Sequence, residues 1–271
     1  LGALAGLPEW LPRLPRPGIA ASVRRIHRVI AGLVDELVES RDDPEVADTF
    51  VVRMLNATDP DGRPFDRDAI RNEAIVTFMA GHETTANTLA WALYILTEAE
   101  WARERLRAEC DAVLAGRVPT LQDLKRLAYT RAVVEETLRL YPPVPLLGRE
   151  AREDTTLEGC PVARGTQVTV APWLLHRNPR IWERPDDFVP ERFLDDADRP
   201  GKYAYVPFAI GPRICPGLTF GLTEAVVCLS VLASTFDLRV APGHTVRSVA
   251  RGTLRPGDTM PMVVTPRGEE G

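Results

Sequence analysis

The sequence is sparing in several features, and each scarcity excludes a class of protein. Its 271 residues hold only four cysteines, Cys110, Cys160, Cys215 and Cys228, with no C-x-x-C pair among them. That dispersal argues against a zinc ribbon, a ferredoxin-type iron–sulfur site and a disulfide framework, and makes the cytoplasm the expected compartment. Charge of neither sign dominates: 33 Lys and Arg stand against 38 Asp and Glu, a net −5. Nucleic acid and anionic membrane surfaces are therefore not expected partners. No internal repeat, low-complexity tract or membrane segment is evident, and no G-x-G-x-x-G opens a helix. Because the first residue is Leu1 and not a methionine, the lack of a leader carries no weight.

What is present begins with an ordinary balance, 45% hydrophobic and 26% charged, enough for one large domain or two small ones. Attention falls on Phe208-Ala209-Ile210-Gly211-Pro212-Arg213-Ile214-Cys215-Pro216-Gly217. Gly-Pro and Pro-Gly bend the chain on both sides of Cys215, and the apolar run from Gly217 to about Phe236 predicts a helix. Cys215 then stands just before a helix N-terminus, where unpaired N–H groups favour an anion, with Arg213 two residues away. These features suit a metal-bound thiolate; a buried structural cysteine is the plainer alternative.

Upstream, residues 1–18 hold four prolines and read as an irregular lead-in. Residues 19–40 have helical spacing of apolar side chains, as do residues 45–55 more briefly, and Asp59-Pro60-Asp61-Gly62 predicts a turn. Residues 67–97 predict a helix about 45 Å long, apolar on most faces and therefore central and buried. Within it Ala80-Gly81-His82-Glu83-Thr84-Thr85 is poor in helix formers and carries a carboxylate. Either it is a tolerated weak spot, or the helix opens locally to present a hydroxyl and an acid to a ligand.

Further helices are predicted over 101–115 and 129–140, the latter stopped by Tyr141-Pro142-Pro143. Glu136 and Arg139 share a face of it. Short strands follow near Thr156-Leu157, 167–170, 236–240, 246–254 and 260–265, with glycines at the turns. Residues 186–206 read as a long, proline-rich loop.

Taken together, F-x-x-G-x-R-x-C-x-G at 208–217, A-G-x-E-T-T at 80–85, E-x-x-R at 136–139 and Pro190-Glu191-Arg192-Phe193 resemble the cytochrome P-450 family of haem-thiolate monooxygenases. The resemblance runs from about Ile19 to the C-terminus but covers only the later part of that family's domain. It implies a mainly α fold with small β-sheets (α+β), a long central distal helix and a proximal cysteine loop, with residues 19–271 forming part of a single domain. It implies haem b with Cys215 as axial ligand, and Phe208, Gly211, Arg213, Gly217, Ala80 and Arg149 around it, the two arginines as propionate partners. Gly81 makes room for dioxygen, and Glu83 and Thr84, with Thr85 less directly, handle protons. Glu136, Arg139 and Arg192 form a buried structural triad. Val144, Pro145 and Leu146 contact substrate, and Ala250 to Thr253 lie at the pocket edge. The implied partners are a small apolar organic substrate, O2 and a separate ferredoxin- or flavodoxin/reductase-type donor fed by NAD(P)H. A peroxide-driven peroxygenase and a non-catalytic haem-binding remnant are the alternatives.

Overall fold

A computed structural model describes residues 17–194 and 201–268, so the lead-in at 1–16 and part of the 186–206 loop lie outside the described residues. The chain divides into two compact units, Leu1–Ala80 and Gly81–Gly271.

In the first unit, helices α1 (Pro17–Glu39) and α2 (Phe50–Asn56) bury Ile30, Val34, Val51 and Ile70 in a small core. The helix expected from residue 45 begins only at Phe50, because Asp43 to Thr49 are taken up by successive tight turns. Asp43 Oδ1 accepts from Glu45 N at 2.9 Å, a local side-chain bond that competes with helix entry. Arg71 is held to Asp35 at 2.7 Å.

Helix α3 (Arg67–Glu98) is 32 residues long and starts in this unit. Two sequence expectations fail here. Its burial is not continuous: Ile70 near the start and Trp91, Ala92, Ile95 and Leu96 near the end are buried, whereas Val76, Phe78 and Met79 between them are 59%, 54% and 42% exposed. Nor does the helix open at Gly81 to Thr85, where it stays α-helical throughout. The hydroxyls of Thr84 and Thr85 donate back to Gly81 O at 3.4 and 3.2 Å, which absorbs these side chains without breaking the ladder.

The second unit is built on α4 (Glu100–Leu114), α5 (Ala128–Leu140) and α7 (Leu218–Thr235) packed with the C-terminal half of α3. Leu106, Cys110, Leu127, Val133 and Leu229 are completely buried at their junction. Ala115 and Gly116 close α4 in left-handed conformation at φ 48° and 81°, the usual helix-ending geometry. By length and composition α7 is apolar enough to cross a bilayer, with mean hydropathy 1.6 over 18 residues. That departs from the expectation of no such run. The same apolar side chains also suit its packing on α4 and α5, where Ala225, Val226, Leu229 and Ala233 are buried.

The sheets are small antiparallel pairs. Strand β1 (Leu147–Glu150) pairs with β4 (Gln167–Val170), and β2 (Thr155–Leu157) with β3 (Cys160–Val162). Strand β5 (Phe236–Val240) pairs with β8 (Met262–Pro266). The single strand expected over 246–254 is instead a tight hairpin, β6 (Val249–Arg251) with β7 (Thr253–Arg255), because Gly252 takes φ 87°, a conformation open to glycine without strain. The short helix α6 (Pro172–Leu175) precedes the loop that runs back toward the cysteine.

Candidate haem-thiolate site

The cysteine loop is folded by its own backbone. Cys215 N donates to Phe208 O at 2.9 Å and Ile214 N to Gly211 O at 3.0 Å. Ala209 and Gly211 reverse the chain at φ 59° and 77°, and the Phe208 ring packs on the core of the second unit. Gly217 caps α7, and a Cβ there would sit 3.7 Å from Cys215 Sγ. The sulfur therefore lies beside the first turn of α7. One turn into that helix, a Cβ on Gly221 would lie 3.8 Å from Thr85 Oγ1 of α3. Helix α3 thus passes the helix that follows the cysteine loop, within a single unit.

The donor set, one thiol with two arginines free of carboxylate partners among the described residues, fits a dianionic, thiolate-ligated group such as haem. Cys215 is half-buried and unpaired. Arg213 is exposed and has no carboxylate or carbonyl partner among the described residues; Arg149 donates to its neighbour Gly148 O at 2.8 Å and has no carboxylate partner there either. Gly81 has open space where a Cβ would be. Ala80 is exposed and ends the first unit.

Glu83 is half-buried on α3, and its Oε1 accepts from Thr253 Oγ1 of β7 at 2.6 Å. Strand β7 is itself fixed: Trp91 Nε1 donates to Leu254 O at 3.2 Å, and Leu254 N to Pro143 O at 2.9 Å. Trp91 stacks on Tyr141 with ring centroids 3.9 Å apart. Sequence reasoning reached Thr253 only as part of a segment and passed over Trp91 and Gly221. For Gly221 there was a signal, a glycine placed one turn after Gly217 in an otherwise apolar helix.

Glu136, Arg139 and Arg192 come together. Glu136 and Arg139 are fully buried and joined by two hydrogen bonds, Nε to Oε2 at 2.6 Å and Nη2 to Oε1 at 2.8 Å. Arg139 also donates to the carbonyls of His176, Pro185 and Asp187 at 2.6–2.8 Å. Val189 N reaches Glu136 Oε1 at 2.8 Å. Arg192 Nε stands 3.5 Å from the same oxygen, which gives charge attraction without a well-formed hydrogen bond. Burial raises the Glu136 carboxyl pKa, opposed by Arg139, the Val189 N–H and Arg192. His176 is buried beside them, Nε2 accepting from Val206 N at 2.9 Å and Nδ1 facing Arg139 O at 3.2 Å. Burial lowers its pKa to about 4.

Val144 and Pro145 are half-buried and Leu146 is 54% exposed. They border neither of two cavities in this unit. One, of about 590 Å³, lies at the far end of α3 beside Tyr94, Trp101, Tyr141 and Phe188. The other, of about 220 Å³, lies beside Lys125, Arg131 and the first turns of α7. Neither is bordered by Glu83, Thr84 or Cys215.

The family model for cytochrome P450 matches residues 7–260. The chain is 34% identical to cyclooctatin synthase of Streptomyces melanosporofaciens over 97% of its length and 57% of that protein's. It is 37% identical to cyclooctat-9-en-7-ol 5-monooxygenase of the same organism, over 95% and 56%. To the chloroplastic protein LUTEIN DEFICIENT 5 of Arabidopsis thaliana it is 32% identical, over 96% and 46%. The chain spans about half the length of these curated relatives. A match over nearly the whole chain, with relatives above 30% identity, establishes that it belongs to the cytochrome P450 family.

Proposed function

We propose that this chain carries the thiolate-ligated haem site of a monooxygenase, which inserts one oxygen atom from O2 into a small apolar organic substrate. Electrons come from NAD(P)H through a separate ferredoxin- or flavodoxin/reductase-type donor. Haem with a cysteine thiolate ligand is the family's cofactor. When bound, it supplies dioxygen binding and O–O cleavage favoured by electron donation from the thiolate. Residues 19–271 are taken as part of one haem domain, and four unpaired cysteines suit a reducing compartment such as the cytoplasm.

The observation that carries this reading is the approach of α3 to α7, the helix after the cysteine loop, at Thr85 and Gly221, next to the Glu83 and Thr84 side chains. In the proposal Cys215 is the axial ligand and the loop's own backbone bonds hold it. Arg213 and Arg149 are available for the propionates. Thr84 offers a hydroxyl and Glu83 a carboxylate for moving protons, with Gly81 leaving space beside them. Val144, Pro145 and Leu146 lie just beyond the Leu254–Pro143 bond and are proposed as substrate contacts. The name of one relative describes oxygenation of cyclooctat-9-en-7-ol, which is compatible with an apolar substrate for this chain.

Oxygen uptake and product formation by the haem-loaded protein with an NADPH-fed ferredoxin system test the reading. Thr84→Ala is expected to raise peroxide release while keeping haem and fold. Unchanged coupling removes Thr84 from proton handling. Turnover driven only by added peroxide favours the peroxygenase, and a folded protein that takes up no haem favours the remnant.

A further inference from the structure

Beyond the acid itself, the contact that stands out is the one that holds it. Thr253 Oγ1 donates to Glu83 Oε1 at 2.6 Å across 170 positions of sequence. A hydroxyl bound to a carboxylate is a charge-assisted hydrogen bond, roughly twice as strong as a neutral one. Its geometry is not left to a loose side chain. Gly252 turns the hairpin at φ 87°, and Leu254, the next residue along, is 6% exposed and bonded through both backbone groups, to Trp91 Nε1 and Pro143 O. Trp91 belongs to the same helix as Glu83, so α3 and β7 are joined at two points. Rotation of Glu83 therefore requires breaking its bond to a strand that is otherwise fixed. Its second oxygen, Oε2, accepts no hydrogen bond from the described residues and is the one left for a proton carrier.

We infer that Thr253 is a positioning residue for the acid. Its hydroxyl fixes one carboxylate oxygen of Glu83 so that the other faces the proton path, making proton delivery depend on the β6–β7 hairpin. This rests on the proposed function, in which Glu83 handles protons. Through Leu254 the same strand is bonded to Pro143, next to the proposed substrate contacts at 144–146. The hairpin thus joins the pocket edge to the acid.

The test uses dioxygen as the probe and needs no substrate. The reduced, haem-loaded protein is supplied with electrons by an NADPH-fed ferredoxin system, and the fraction of consumed oxygen released as hydrogen peroxide instead of water is measured for wild type, Thr253→Val and Thr253→Ser. Valine keeps the shape and removes the O–H, and serine keeps the O–H. The valine variant is expected to form water about tenfold more slowly, on the scale of one lost hydrogen bond to a charged group, while serine restores the wild-type ratio. Glu83→Gln combined with Thr253→Val should be no worse than Glu83→Gln alone. A wild-type ratio in the valine variant overturns the inference, as does a serine variant equal to valine. Denaturant midpoints of the haem-free protein give a second readout: the Glu83 and Thr253 substitutions should be non-additive, and strict additivity also overturns it. Loss of the thiolate spectrum in wild type instead marks failure of the haem reading, which that second readout does not share.

Discussion

Arg139 and His176 carry more of the second unit than their neighbours do. Arg139 is completely buried, and its guanidinium serves Glu136 and three backbone carbonyls of the loop after α6. Removing Glu136 leaves a buried cation facing no carboxylate within hydrogen-bonding distance among the described residues. Glu136→Ala is therefore expected to lower unfolding stability by about 3–5 kcal/mol, read by urea denaturation. A smaller loss for the paired replacement of Glu136 and Arg139 by apolar residues would accord with the cost lying in the unpaired charge. His176 makes a pH-dependent contribution. Burial holds its pKa near 4, below the ordinary value of about 6.5, so between those values the unfolded state binds the extra proton. Its contribution is complete above about pH 6.5 and is lost as pH falls toward 4, by up to about 3 kcal/mol. His176→Gln should flatten the stability profile in that window, and an unchanged slope would assign the titration to other groups.

Among the elements, α3 and α7 show what the residue pattern reveals and what it hides. The long helix, the cysteine loop, α5 with its double-proline stop and most short strands were legible, because helical periodicity and Gly/Pro punctuation are local signals. The Glu136–Arg139 pair was legible as a shared helix face. Its burial followed only from the family resemblance, since it depends on a loop arriving from positions 176–192. The exposed stretch of α3 at Val76 to Met79 was hidden because apolar composition does not reveal whether a partner covers it. The straight course through Gly81 to Thr85 was hidden too, since it depends on threonine hydroxyls returning to Gly81 O. Gly252 escaped notice as a turn because it is a single glycine inside a strand-like run. Two consequences follow for these elements. Gly221→Ala has ordinary contact distance to Thr85, 3.8 Å, and should stabilise α7 by up to about 1 kcal/mol through helix propensity. A bulkier Gly221→Leu should destabilise it, and equal stability of both variants would deny the close approach of α3. Gly252→Ala would have to adopt φ 87°, and that strain should cost about 1 kcal/mol in thermal or urea unfolding.

The chain divides into two compact units, and apart from Ala80 the site is read within the second. Its proposed chemistry reduces to whether the Cys215 sulfur reaches iron. A ligand that binds only the folded state also stabilises it, by about 2.7 kcal/mol at a hundredfold excess over Kd, so haem should raise the melting temperature of the protein. The most direct measurement is the absorption spectrum of the dithionite-reduced, carbon monoxide-bound haem complex, recorded for wild type and Cys215→Ala. The Soret shift typical of thiolate ligation is expected in wild type and should vanish in the alanine variant with helix content preserved. The same shifted band in both proteins, or its absence from a haem-loaded wild type, would contradict the assignment of Cys215 as the iron ligand.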